Sequence, residues 1–182
     1  MIDRSEQRNA AFKNIEAVYQ DFYRNLELNG GLPYRSTVSG MWAISEAKEV
    51  YRAFCHFRLG DYNHMADLGS GDGIVALVGS LFTKVTGYET DEALYKKSLQ
   101  IRDELELSQA RFLLQDYLLA DLSPCDLLYL YPDKPFFALE EKLRPVWCGH
   151  ILVNGPHIPP HYLNRVAESP PSVGRFALYE SG

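Results

Sequence analysis

The chain has 182 residues, 46% hydrophobic and 23% charged, with 18 Lys and Arg against 24 Asp and Glu for a net charge of −6. That balance fits one globular domain, or one domain with a small appendage, and excludes disordered, low-complexity and collagen-like classes. No apolar run approaches the roughly 20 residues that cross a bilayer, and the polar start MIDRSEQRNA is not expected to act as a signal peptide.

In chain order, the first expected element is an amphipathic helix. Phe12, Ile15, Tyr19, Phe22 and Leu26 recur at three- and four-residue spacing, and Asn29-Gly30-Gly31 stops the pattern. Leu32 to Thr37 reads as a connection. A second helical stripe follows through Ala43, Ala47, Val50 or Tyr51, and Phe54, ending near Gly60. From residue 64 the texture changes to short apolar runs alternating with helical stretches, the pattern of βαβ units and a parallel sheet. Strands are expected near 64–68, 84–89, 111–115, 125–131, 149–154 and 175–180, with helices near 73–82, 91–106, 136–145 and 160–167. Pro156 to Pro171 holds five prolines and reads as loop around the last of these helices.

Ligands of open α/β sheets sit at the carboxyl ends of the strands, so the connections there carry the functional signal. After the first strand of the alternating region comes Asp67-Leu68-Gly69-Ser70-Gly71-Asp72-Gly73, then the helical run from Ile74. A glycine turn in that place lets backbone approach a ligand closely. A dinucleotide-binding G-x-G-x-x-G would need a glycine where Ile74 stands, and the phosphate-loop G-K-[ST] is absent. Asp67 and Asp72 would also repel a phosphate and favour a ligand with positive charge.

The pattern Asp67-x-Gly69-x-Gly71-x-Gly73 resembles the first motif of the class I S-adenosylmethionine-dependent methyltransferases. Glu89, 20 residues past Gly69 at the end of the next strand, is similar to the family's ribose-binding acid, with Thr90 beside it. Asp116, with Tyr117, resembles the acid that accepts from the adenine amino group. Tyr131-Pro132-Asp133-Lys134-Pro135 lies where the family places its substrate-facing loop. It departs from the [DNS]-P-P-[YFW] of enzymes that methylate base amino groups. The resemblance covers about residues 64–180. It implies a three-layer, Rossmann-like α/β fold with a mostly parallel sheet, two leading helices over the sheet's carboxyl edge and a shortened C-terminus. The expected division is a helical cap or lid over 1–60 and a cofactor domain over 61–182.

By the same resemblance S-adenosylmethionine is the cofactor, held by Asp67, Gly69, Ser70, Gly71, Asp72, Gly73, Glu89, Thr90, Asp116 and Tyr117. Tyr131 and Asp133 would face the acceptor as the catalytic pair. Small lysine methyltransferases of the seven-strand type have a similar Pro-aromatic-x-[ST] stretch before the motif, so Tyr34 and Arg35 would reach the methionine end. The alternatives are a non-catalytic binding module on the same fold, and a nicotinamide-linked oxidoreductase, which Ile74 and the flanking acids disfavour.

Residues 61–182 carry 10 basic and 17 acidic side chains, which favours a cationic or neutral acceptor such as a protein lysine or a small amine or hydroxyl compound. With Lys96-Lys97 as the longest basic run, broad nucleic-acid binding is not expected. His157 and His161 flank Ile158-Pro159-Pro160; the prolines break any helix that would pair them on zinc, so no metal site is expected. Cys55, Cys125 and Cys148 form no C-x-x-C pair and read as reduced thiols of a cytoplasmic protein. Trp42 and Trp147 read as core.

Overall fold

A computed structural model describes residues 4–37, 40–144, 146–155 and 157–180. The leading helix α1 (Arg4–Leu28) buries Phe12, Ile15 and Tyr19, the first three residues of the expected stripe. It ends where Gly30 turns with φ of 76°. The expected connection after it is a hairpin of two short strands, β1 (Tyr34–Ser36) and β2 (Met41–Ala43), in register Tyr34 to Ala43. Ala43 therefore lies in a strand, and the second helix, α2 (Ala47–His56), starts four residues later than its apolar stripe suggests.

The alternating region builds β3 (His64–Leu68), α3 (Ile74–Gly79), β4 (Lys84–Glu89), α4 (Glu92–Glu104), β5 (Ala110–Leu114), β6 (Leu127–Leu130), α5 (Phe137–Leu143), β7 (His150–Asn154), β8 (Asn164–Glu168) and β9 (Phe176–Glu180). They form one seven-stranded sheet in the order β5-β4-β3-β6-β7-β9-β8. β3 to β7 are parallel, and β9 runs antiparallel between β7 and β8.

One expected helix is absent. Residues 164–168 form β8 rather than part of a helix over 160–167, so the sheet keeps a strand beyond β9. Arg, Ala and Glu in this stretch favour helix as isolated residues. Antiparallel pairing with β9 decides the conformation instead. Only its connections are short: β7 reaches β8 without a helix.

Side chains alternate between two cores with the period of two that strands impose. Met65, Leu127, Tyr129, Leu152, Phe176 and Leu178 face α1, α2, α3 and α4. Ala66, Leu128, Leu130, Ile151, Val153 and Ala177 face α5 and Trp147. The two leading helices thus pack on the α3 side of the sheet, not over its carboxyl edge. Only the last turns of α1 and the β1–β2 hairpin reach that edge. Among the described residues no helix is long and apolar enough to cross a membrane.

Candidate functional site

At the carboxyl end of β3 the chain turns through Gly69, Gly71 and Gly73, with φ of 80°, 56° and 90°. These are left-handed values that glycine alone adopts freely. The turn is fastened from both sides. Gly69 and Ser70 donate to the Tyr88 carbonyl at 3.0 and 2.8 Å, and Gly71 donates to Glu89 Oε2 at 2.8 Å. Behind it, Tyr19 donates to the Asp72 carbonyl at 2.7 Å. Gly73 is a packing glycine. A Cβ there would lie 2.6 Å from Ser98 Cβ and 2.9 Å from Phe112 Cζ, and Gly73 does not line the cleft.

The turn opens on a cleft of about 350 Å³. Its walls come from Gly69, Gly71, Glu89, Thr90, Asp116, Tyr117, Tyr131 and Asp133, together with Met41 and Trp42 of the hairpin. A side chamber of about 60 Å³ adjoins it, lined by Asp67, Ser70, Asp72, Trp42, Tyr129 and Tyr131. Tyr131 borders both spaces.

Each acid has a distinct environment. Glu89 is buried, and its Oε1 accepts from the backbone of Thr90 at 2.7 Å and of Asp91 at 2.8 Å, in addition to the Gly71 bond on Oε2. Of about four acceptor positions on a carboxylate, three are filled by the described residues, and Oε2 has a second position toward the cleft. Asp116 Oδ1 accepts from Leu118 N at 2.8 Å, so this residue caps its own turn while it lines the cleft. Asp72 accepts from Tyr23 Oη at 2.8 Å, from Ile74 N at 3.3 Å and from the Trp42 indole. Asp67 accepts from Ala76 N, while its Oδ2 and the Ser70 hydroxyl have no partner among the described residues. Two amides of the first turn of α3, Ile74 N and Ala76 N, are therefore taken by the chain's own carboxylates.

Burial pushes the Asp67 carboxyl up to about 8, helped by the nearby charges of Glu89 and Asp72. Burial likewise lifts Asp72 to about 6 against the hydrogen bonds it accepts. An acid raised in the folded state binds more protons there than in the unfolded chain, so its contribution to stability fades as pH climbs through the folded value. His64, whose imidazole is lowered by burial, acts in the opposite direction, but only below its ordinary range near 6.5. Between pH 6.5 and 8 the Asp67 effect stands alone among these groups. The thermal midpoint of the ligand-free protein should fall by several degrees across that interval. Asp67→Asn should flatten the decline; an unchanged decline in that variant would place its source elsewhere.

Two expectations fail here. Tyr34 is 53% exposed on β1 and does not line the cleft. Arg35 does not line the cleft either; its Nη2 donates to Asp91 Oδ1 at 3.0 Å and fastens the hairpin to the start of α4. The hairpin makes a second tie through Met41 N, which donates to Asp133 Oδ2 at 2.8 Å. Trp42, expected as core, is buried against the glycine turn: a Cβ on Gly71 would lie 2.7 Å from its Cδ1. The hairpin's contribution had no sequence signal beyond the short Pro33-Tyr34-Arg35-Ser36 stretch. Among the described residues no cluster of three or more His, Cys, Asp or Glu could hold a metal ion.

Solved structures share this architecture at low identity. An RNA methyltransferase from Salinibacter ruber, in complex with S-adenosyl-L-homocysteine, superposes with a TM-score of 0.55 at 20% identity, over 76% of this chain and 92% of its own. An rRNA methylase from Streptococcus thermophilus gives 0.52 at 14% identity, over 77% and 99%. The Escherichia coli protein yhhF, a proposed methyltransferase, gives 0.55 at 18% identity, over 74% and 83%. The fold is that of the class I methyltransferases. No protein-family model matches the chain, and no curated protein matches it in sequence. Within the methyltransferase fold, the cleft lies where the sheet's strand order reverses, between β3 and β6. Two of these neighbours are RNA methylases, so the fold comparison lends no support to the expectation that nucleic acid is an unlikely partner.

Proposed function

We propose that the protein is an S-adenosylmethionine-dependent methyltransferase. The observation that carries this reading is the pairing of the glycine turn with a buried, partly unsatisfied acid chamber on one side and Glu89 and Asp116 on the other. The residues suit the cofactor's parts. The cleft falls within the roughly 300–1,000 Å³ of small-molecule sites. Glu89 Oε2 offers one acceptor position for a ribose hydroxyl, and Asp116 offers its second oxygen for the adenine amino group. Asp67 Oδ2, buried without a partner, suits the ammonium of the methionine end, and no phosphate would be tolerated beside it. When bound, the cofactor supplies a sulfonium-activated methyl group. The chain's part is to align the acceptor, exclude water and receive a proton.

In this reading the β1–β2 hairpin is the lid, closed by Arg35–Asp91 and Met41–Asp133. Tyr131, 50% exposed at the joint of cleft and chamber, leaves the acceptor side open, which favours an enzyme over a non-catalytic module. The acidic balance of residues 61–182 favours a protein lysine or a small amine or hydroxyl acceptor. RNA is a second acceptor class, favoured by the two RNA-methylating neighbours. The test is transfer of labelled methyl from S-adenosylmethionine to lysine-rich peptide, a small polyamine and bulk RNA. Label in the first or second is expected. Label in RNA alone would overturn the acceptor assignment, and label in none, with cofactor bound, would favour the module.

A further inference from the structure

We infer that Asp133 is a positioning residue, a latch on the β1–β2 hairpin that governs passage of the cofactor into and out of the cleft. The inference rests on the methyl-transfer reading. A two-stranded hairpin is at best marginally stable by itself, and this one buries little. All three residues of β1 are exposed, and of β2 only Trp42 is buried. Its place is therefore set by what it touches, and those contacts follow the order of the sheet. Just past β4, Arg35 Nη2 donates to Asp91 Oδ1 at 3.0 Å, the same oxygen that caps α4 by accepting from Ala93 N and Leu94 N. Past β3, Trp42 lies against Gly71 and its indole bonds Asp72. Past β6, Met41 N donates to Asp133 Oδ2 at 2.8 Å. Because β4, β3 and β6 are neighbours in the sheet, the hairpin crosses the glycine turn as a strap pinned on both sides of it.

The pin at Asp133 is specific. Met41 pairs with Ser36, but its N–H points out of the ladder, an edge amide that β1 leaves open and that Asp133 satisfies. Gly40 makes the approach possible. A Cβ there would overlap Asp133 Oδ2 and lie 3.3 Å from its Cγ. The Gly40 carbonyl is held by Thr37 N at 2.8 Å and Thr37 Oγ1 at 3.1 Å, which fixes the glycine and leaves the exposed Asp133 carboxylate as the part that yields. An alanine at position 40 would thus push the carboxylate off Met41 N without touching Asp133 chemically. Thr37, Gly40, Met41 and Trp42 all line the cleft, and Met41 and Trp42 border the side chamber as well. A ligand that spans both spaces lies under the hairpin, and its exchange with solvent requires the hairpin to lift. In this role Asp133 acts through Met41 and need not touch the reacting atoms, unlike the catalytic role expected for it beside Tyr131.

The test needs no acceptor. Association and dissociation rates of S-adenosylhomocysteine are measured by surface plasmon resonance on the full chain, for wild type, Asp133→Ala, Gly40→Ala and Asp133→Asn. Both rates should rise in Asp133→Ala and in Gly40→Ala, dissociation by roughly three- to tenfold, as for loss of one exposed hydrogen bond. Asp133→Asn keeps an acceptor oxygen for Met41 N and should stay within about twofold of wild type. Faster association together with faster dissociation separates a latch from a direct ligand contact, whose loss speeds dissociation alone. Unchanged rates in both alanine variants, or faster dissociation alone, would overturn the inference while leaving the cofactor reading intact. Asp133→Asn behaving like Asp133→Ala would overturn it as well, since the accepting oxygen remains. Failure of the wild-type protein to bind S-adenosylhomocysteine would remove the methyl-transfer reading and this inference with it.

Discussion

Gly73→Ala should lower the thermal midpoint by roughly 5–15 °C, while Gly69→Ala lowers it by only about 2–6 °C. Both glycines hold left-handed backbone, φ of 90° and 80°, and a non-glycine residue there costs about 1–2 kcal/mol. The difference lies in the space beyond. A Cβ at Gly69 meets nothing within 4 Å, whereas at Gly73 it would meet Ser98 Cβ at 2.6 Å and two Phe112 ring carbons at 2.9 and 3.1 Å. Ser98 belongs to α4 and Phe112 to β5, and both are fully or nearly fully buried, so neither can retreat into solvent. Overpacking of this kind adds about 1–3 kcal/mol. Calorimetric melting of the two variants checks the claim. Equal losses would mean that backbone conformation alone fixes the turn and that close packing of α3 against α4 does not.

Glu89→Gln should weaken S-adenosylhomocysteine binding by about 10- to 100-fold, from the loss of roughly 1.5–3 kcal/mol for a charge-assisted contact. The side chain does two jobs. It fixes the glycine turn through Gly71 and the start of α4 through Thr90 and Asp91, and it presents the remaining Oε2 position to the cleft. A glutamine is of similar size, but its NH2 would face a backbone donor on one side, so the turn loosens and the ligand loses its partner together. The signature is a lower affinity accompanied by a lower melting point. A lower melting point with unchanged affinity would assign Glu89 to scaffolding alone and move the ribose contact elsewhere.

The parts of the molecule legible in the sequence are those whose signal is local. Apolar runs such as Cys125 to Tyr131 and Gly149 to Asn154 announce β6 and β7 because a parallel strand covered on both faces must be apolar throughout. Gly69, Gly71 and Gly73 announce the turn because each holds a conformation that other residues resist. The parts that were not legible depend on pairing across long separations. Three-residue strands such as β1 and β2 are too short to show alternation, and their position is set by Arg35 meeting Asp91 and Met41 meeting Asp133. β8 is mostly exposed, so Asn164 to Glu168 lacks the apolar alternation that marks a half-buried strand, and only β9 beside it makes it one. Trp42 carries the composition of a core residue and is buried as one, but what it covers is the glycine turn. The role of Asp133 depends on Met41 N reaching its Oδ2, and nothing in the residue itself states that.

The account turns on a cleft shaped for a cationic nucleoside without phosphate, and isothermal titration of the wild-type protein with S-adenosylhomocysteine, set beside NAD, examines it most directly. Saturable one-to-one binding of S-adenosylhomocysteine with no measurable heat from NAD is the predicted result. No binding of S-adenosylhomocysteine, or NAD binding as tightly, would contradict it.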